Sequence, residues 1–390
     1  MLKRVLEKIK PSKEEISKMR NLSKEVADNI KIKDAVVVLG GSAAKDTWLK
    51  DSHDVDLYVK FNYQKYKDKN ISSILENALK KKFKIKKLHG SRNYFQIKKS
   101  NLVFEIVPIL DIKKASEAKN ITDISPLHAK WVKKSRAEDE IRLTKAFAKA
   151  QNVYGAETHM RGFSGYVLEI LTIYYNGFLK LVKAASNWKD KKIIDPENLL
   201  KNPLKELNKS KINSPLVLID PVDKTRNAAA SLSKENYNKF IIACGQFLKN
   251  PSEDFFVKKE EKIPKGVLVL EFDFKKGKED VIGGKFFSLF NKLQKQLNLN
   301  EFKVVKSNFV FGEKAVFWYK MKNKELPKKV EVRGPPINLE QHVKEFKKKH
   351  KTTIIKNGII YSMENRKYIK AEDLLKNLLK GMKFKVRWQK

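Results

Sequence analysis

Residues 40–61 read GGSAAKDTWLKDSHDVDLYVKF, and the reading of the whole chain turns on them. Asp54 and Asp56 stand two apart in an apolar run, shortly after Gly40-Gly41-Ser42. On a strand they point to the same face, because side chains alternate with period two. Carboxylates that close repel each other, and a hard dication such as Mg²⁺, which takes a few carboxylates plus phosphate oxygens, offsets the repulsion. The glycine pair lets backbone N–H groups and the Ser42 hydroxyl approach a triphosphate closely. Each half alone is more often a solvated loop or an edge strand. Their order along the chain, with a third strand acid at Glu105 in VFEIVP, is much more specific. Glu105 has apolar neighbours, among which an unpaired charge is costly.

Three carboxylates facing a phosphate turn permit phosphoryl transfer on two metal ions. One ion lowers the pKa of an attacking hydroxyl and the other neutralises a leaving pyrophosphate. The reaction class is nucleotidyl transfer.

Composition supplies the other substrate. The 390 residues carry 84 Lys and Arg against 45 Asp and Glu, a formal net charge of +39. That self-repulsion disfavours a compact state and points to a polyanion, so the attacking hydroxyl belongs to RNA or DNA. A lysine-rich compositional bias is the plain alternative, since only ten of the basic residues are arginine. Where charge alone suffices lysine has taken over, so a surviving arginine marks a need for its bidentate fork. Hydrophobic residues at 41% are ample for packed cores. Cys244 is the only cysteine, which excludes intrachain disulfides and multi-cysteine zinc sites. The charged N-terminal stretch is unlike a signal peptide, and no apolar run reaches the ~18 residues of a membrane span. A soluble, cytoplasmic protein without a membrane partner is expected.

The patterning predicts an α+β fold of several domains. Residues 1–30 read as helical, 35–39 and HDVDLYVKF as strands, NISSILENALKKKF as an amphipathic helix, and NYFQIKK with LVFEIVPIL as a hairpin about Ser100-Asn101. After Trp131 the pattern turns helical. SRAEDEIRLTKAFAKAQNVYG opens on a capping-box arrangement of Ser135 and Glu138, and SGYVLEILTIYYNGFLKLVKAASNW, apolar nearly all round, reads as one buried central helix. Strand signals return from Val267. The expected boundaries are a catalytic head at 1–134, a helical neck at 135–257, a body at 258–330 with 376–390, and an RNA-binding tail at 331–375.

Six blocks, GGSAAKDTWLKDSHDVDLYVKF, SPLHAKWV, EIRLTKAFAKAQNVYGAE, MRGFSGYVLEIL, DPVDKTRNAAASLS and RGPPINLEQHV, run in order over most of the chain. Together they resemble the archaeal class I CCA-adding enzymes. The resemblance implies a polymerase-β-type nucleotidyltransferase head, a helical neck, and a mixed α/β body and tail that hold the acceptor stem and 3′ end of tRNA. It also implies addition of CCA without a nucleic-acid template, from CTP and then ATP, with Mg²⁺ as the metal. A homodimer is left open. Carried over by position, Asp54, Asp56 and Glu105 would be the metal carboxylates, and Gly41, Ser42 and Lys45 would lie at the triphosphate. Ser125 would sit near the sugar, His128 on a phosphate, and Lys145 and Tyr154 would grip the triphosphate. Arg226 would read the incoming base; its donors reach acceptors on cytosine or adenine. Arg142 and Arg161 are expected to brace the head–neck junction through ion pairs, and Trp48 and Trp131 to be core.

Three positions depart from the family, the mildest being Ser125 where the family uses a threonine near the sugar. Lys45 replaces an arginine and loses its bidentate grip on phosphate. Glu105 replaces an aspartate and is one methylene longer, which bears on efficiency because Mg²⁺ demands near-ideal geometry. Phe309, Phe311 and Phe317 are expected to be core, with Trp388 left open between core and RNA stacking. Two rival functions remain: a poly(A) polymerase-like enzyme on the same head, taking ATP alone, and a catalytically idle tRNA-binding protein.

Overall fold

The alternation in VDLYVKF forms a half-buried strand: Val55, Leu57, Val59 and Phe61 are buried, while Asp54, Asp56, Tyr58 and Lys60 take the other face. A computed structural model describes residues 1–50, 52–258, 262–274 and 279–390. The chain divides into two compact units, residues 1–260 and 261–390.

The first unit begins with α1 (Leu2–Ile9) and α2 (Lys13–Asp28), parted at Pro11. A capping box starts α2, Ser12 accepting from the Glu15 N–H while the Glu15 carboxylate accepts from the Ser12 N–H. There follow β1 (Ala35–Leu39), α3 (Gly41–Ala44), β2 (Asp54–Asn62), α4 (Tyr63–Tyr66), α5 (Ile71–Lys80), β3 (Lys86–Leu88), β4 (Tyr94–Lys99) and β5 (Leu102–Asp111). The strands form one sheet in the order β1-β2-β5-β4-β3, with β2 and β5 parallel and the other pairs antiparallel. The hairpin turns at Ser100, whose φ of 53° is left-handed. One sheet face packs on α2 and α5 through Met19, Val26, Leu75, Leu79, Phe104 and Ile106. The opposite face carries the acids.

A second core begins with α6 (Ser125–Lys134), α7 (Glu138–Ala150), α8 (Gly165–Tyr174) and α9 (Phe178–Ala185). Next come β6 (Lys192–Ile194), α10 (Pro203–Glu206), β7 (Leu216–Asp220), β8 (Asp223–Asn227) and α11 (Lys234–Lys249). Phe147, Phe163, Phe178, Phe240 and Phe247 fill it, with edge-to-face pairs such as Phe147–Phe178 at 5.5 Å. Val5 of α1 belongs to this core rather than to that of the sheet, so the chain starts on the helical side and crosses over.

Two helical expectations are corrected. No capping box forms at Ser135: its hydroxyl donates back to the Val132 carbonyl, closing α6, because Arg136 turns left-handed (φ 50°) before α7 starts. The long apolar run is two helices. Asn176 and Gly177 both take positive φ, and the Glu140 carboxylate accepts the Phe178 N–H at 2.7 Å, favouring a new helix start.

The second unit holds β9 (Leu268–Phe272), α12 (Glu279–Leu299), β10 (Val304–Phe311), β11 (Ala315–Met321), β12 (Lys329–Pro336), α13 (Glu340–Lys349), β13 (Thr353–Lys356), β14 (Ile359–Asn365), α14 (Ala371–Leu378) and β15 (Lys385–Trp388). One sheet runs β10-β11-β9-β15 and a smaller one β12-β14-β13. Phe317 is fully buried, while Phe309, Phe311 and Trp388 pack half-buried against the same core. Among the described residues no helix is long and apolar enough to cross a membrane.

Candidate active site

The parallel register of β2 and β5 sets Asp56 opposite Glu105 and Asp54 opposite Val103, so the three acids share one face. The Gln96 amide of β4 donates to Glu105 Oε1 at 2.8 Å, holding that longer side chain to its own strand. Burial, and then the charges of Glu105 and Asp54, raise the Asp56 pKa to about 6 against the pull of Lys45. The donors on this face are all oxygens, which suits a hard divalent cation. Among the described residues no three acids, histidines or cysteines are already gathered to metal-ligating geometry.

The glycine turn lies directly over these acids. The Gly40 N–H donates to the Asp56 carbonyl at 2.8 Å. Gly41 has φ of +51°, and a Cβ there would stand 1.8 Å from Asp56 Oδ2, so any other residue would be strained and would have to displace the Asp56 carboxylate. Ser42, the second residue of the short α3, is half-buried. Beneath the turn, the Tyr58 hydroxyl bonds to the Gly41 backbone and the Ser125 side chain, tying α6 to the turn.

Behind the turn, Glu169 of α8 is fully buried. It accepts from Lys45 at 2.6 Å, Lys145 at 2.7 Å and the Thr47 hydroxyl at 3.0 Å. Burial would raise its pKa, but the charges of Lys145 and Lys45 and their hydrogen bonds outweigh burial and lower it to about 2. Burial lowers the Lys145 pKa, opposed by Glu169. Tyr154 sits near the same carboxylate, with its hydroxyl 2.9 Å from where a Gly165 Cβ would stand. Its ionisation is pushed far up by burial, with Glu169 and Asp56 adding to the rise.

A second buried carboxylate, Asp220, ends β7. It accepts from Arg226 at 2.6 Å, pairs with His128 Nε2 at 3.0 Å, and takes the Tyr166 hydroxyl at 3.1 Å. The Tyr166 ring stacks on His128 with centroids 4.0 Å apart and lies 5.7 Å from the Lys45 ammonium. Tyr166 thus links the two buried carboxylates.

Three families cover the chain in order. The nucleotidyltransferase domain matches residues 19–128, the second domain of tRNA nucleotidyltransferase 139–257, and the C-terminal domain of the CCA-adding enzyme 265–384. A CCA-adding enzyme of Nanoarchaeum equitans (strain Kin4-M) is 39% identical over 342 residues, 85% of this chain and 84% of that one. One from Methanocaldococcus jannaschii is 34% identical over 98% of this chain and 90% of its own. The chain belongs to the archaeal class I CCA-adding enzymes. As a member of that family it is a CCA tRNA nucleotidyltransferase. The fold also resembles a cytoplasmic RNA terminal U-transferase (TM-score 0.51, 16% identity, 67% of this chain and 98% of that one). The Cid1 poly(U) polymerase, with Mg and 3′-dATP bound, is similar at TM-score 0.52 and 16% identity, over 66% of this chain and 98% of its own.

All eleven sequence-derived candidates of this CCA-adding enzyme lie in the first unit. They fall into three linked groups: the acids under Gly41, the lysines on Glu169, and His128 with Arg226 on Asp220. Arg142 reaches the head by donating to the Trp48 carbonyl at 3.1 Å and not through an ion pair, its pair with Asp139 at 2.5 Å lying within α7. Arg161 forms no ion pair among the described residues, and it is exposed. Trp48 is buried core and Trp131 half-buried against the helical core. Sequence reading missed Glu169, Asp220, Tyr58 and Tyr166. A lone acid in the apolar YVLEILT and another ending VLID were the available signals, since a charge in such surroundings needs a partner.

Proposed function

We propose that this chain completes the 3′ end of tRNA by adding C, C and A in turn from CTP and ATP, without a nucleic-acid template and with release of pyrophosphate. The observation that carries it is the acid face of β2 and β5 beneath Gly41, with the lysine pair on one side and the His128–Arg226 pair on the other. Asp54, Asp56 and Glu105 would hold Mg²⁺, which when bound would lower the pKa of the tRNA 3′ hydroxyl and shield the departing pyrophosphate.

The chain's own groups do the rest. The Gly41 turn and the Ser42 hydroxyl bring donors to the triphosphate without a side chain in the way. Lys45 and Lys145 lie beside it, both paired with the buried Glu169 carboxylate. Tyr154 offers a hydroxyl that stays protonated across the physiological range. Ser125 lies toward the sugar, His128 toward a phosphate, and Arg226 presents its remaining N–H donors to the base. Residues 1–134 serve as head and 135–257 as neck. Residues 258–330 with 376–390 serve as body and 331–375 as tail, along which the acceptor stem lies. Its double helix is read by shape and backbone, so affinity falls with salt. The reaction belongs in the cytoplasm, with tRNA.

The test supplies labelled CTP or ATP separately, with Mg²⁺, to tRNA transcripts ending before CCA, after C and after CC. Two C additions and then one A are expected, with D54A/D56A losing incorporation by at least ~10³-fold while still binding tRNA. Untemplated ATP-only extension would move the assignment to a poly(A) polymerase-like enzyme. Tight tRNA binding without incorporation would mark an idle binding protein.

A further inference from the structure

We propose that Asp220 is a positioning residue that fixes His128 and Arg226 relative to one another, and that discrimination between CTP and ATP depends on it. The inference rests on the roles given above to His128 and Arg226. His128 comes from α6, Tyr166 from α8 and Arg226 from β8, and all three converge on this one carboxylate.

Its acceptor capacity is fully used. Oδ2 faces Arg226 Nη1 and His128 Nε2, while Oδ1 takes the Tyr166 hydroxyl and the Val222 N–H at 3.0 Å. A carboxylate has about four lone-pair sites, so none is left for substrate. The backbone beneath it cannot drift, because Leu216, Val217, Leu218 and Ile219 are fully buried. The imidazole is held at its edge by Asp220 and across its face by Tyr166. The Arg226 side chain, by contrast, is 30% exposed, against 11% for His128 and none for Asp220. One side of the guanidinium is anchored while the other stays open. A group that contacts phosphate and a group that reads the base thus share one fixed origin, which sets where the base edge must lie for a triphosphate in place.

Asparagine cannot substitute. It has one oxygen, and in either orientation its NH₂ group opposes donors: Arg226 and His128 on one side, or Tyr166 and the Val222 N–H on the other. The charge and the aim are lost together, with little change in volume.

The experiment uses the full chain, tRNA ending before CCA and after CC, and both nucleotides on each. It measures kcat and KM for correct and incorrect additions, with the thermal midpoint and tRNA affinity alongside. For D220N we expect the correct-to-incorrect ratio of kcat/KM to fall about tenfold, the scale of one lost charge-assisted hydrogen bond. In an R226A background the same change should add little further loss, since contacting residues that act as a unit are non-additive. A lowered midpoint with an unchanged ratio would make Asp220 a structural brace and overturn the inference. Should D220N fail to fold, Y166F removes one donor to the same carboxylate and leaves every charge in place. A smaller loss of discrimination supports the inference, and none overturns it. If R226A itself leaves discrimination intact, the assigned role of Arg226 fails and takes this inference with it. Loss in R226A with D220N unaffected overturns this inference alone.

Discussion

Two sets of carboxylates in the first unit face opposite electrostatic problems. Asp54, Asp56 and Glu105 lie together on one face, and at Asp56 burial and the two neighbouring acids outweigh Lys45 and raise it to about 6. Glu169 and Asp220 are fully buried but each is surrounded by cations and hydroxyls, and both are lowered to about 2. Burial alone would raise Asp56, Glu169 and Asp220 alike. The difference is what the protein supplies: cations and hydroxyls surround the buried pair, whereas at Asp56 burial and two neighbouring acids outweigh Lys45. Carboxylates that serve the fold and carboxylates that serve a ligand are told apart by this deficit rather than by depth.

The largest expected effect falls on the complete set. E169A strands Lys45 and Lys145 without a partner, and removing one member of a buried ion pair costs about 3–5 kcal/mol. Chemical denaturation should show that loss at pH 7. Because the folded Glu169 pKa is depressed, its contribution is fully present above its unfolded value. It disappears as pH falls from about 4.5 through about 2, so wild type and E169Q should converge in that acid window. E169Q matching wild type at neutral pH would break the comparison.

G41A tests the cover over the acid face. A methyl 1.8 Å from Asp56 Oδ2 on a residue with φ of +51° forces the turn off Asp56. A stability loss of about 2–3 kcal/mol is expected from strain and overpacking, with a rise in KM for nucleotide. D56N should act with the opposite sign on stability. The ionised Asp56 is disfavoured in the fold, a cost that is full above about pH 6 and absent below about pH 4. Without metal, D56N should therefore be more stable than wild type at neutral pH by about 1–2 kcal/mol, and inactive. The smallest effect belongs to E105D. Shortening that acid frees Gln96 while keeping a carboxylate on the same face, so kcat should change by no more than about threefold, the donor set being unchanged.

Much of this was legible in the chain itself. The period-two pattern of VDLYVKF and LVFEIVP gave the central strands and their acids, because one buried face enforces alternation. The Ser100-Asn101 hairpin followed from turn chemistry. The break at Asn176-Gly177 was signalled and overlooked, since Asn and Gly readily take left-handed φ, whereas at Ser135 the left-handed residue is Arg136, which no local preference announces. Lys45 was read as a weakened phosphate ligand, yet it is paired to Glu169 124 residues away. Likewise His128 and Asp220 are 92 residues apart. Long-range pairing of this kind leaves only one trace in a single sequence, an isolated charge in an apolar run.

The measurement that tests the account most directly is Mg²⁺ binding by calorimetry, with a non-hydrolysable CTP analogue present, to wild type, D54A/D56A and E169Q. Binding should be lost in D54A/D56A and retained in E169Q despite its lower thermal midpoint. Retained binding in D54A/D56A, or loss in E169Q alone, would contradict the division between a carboxylate set completed by the protein and one completed from solution.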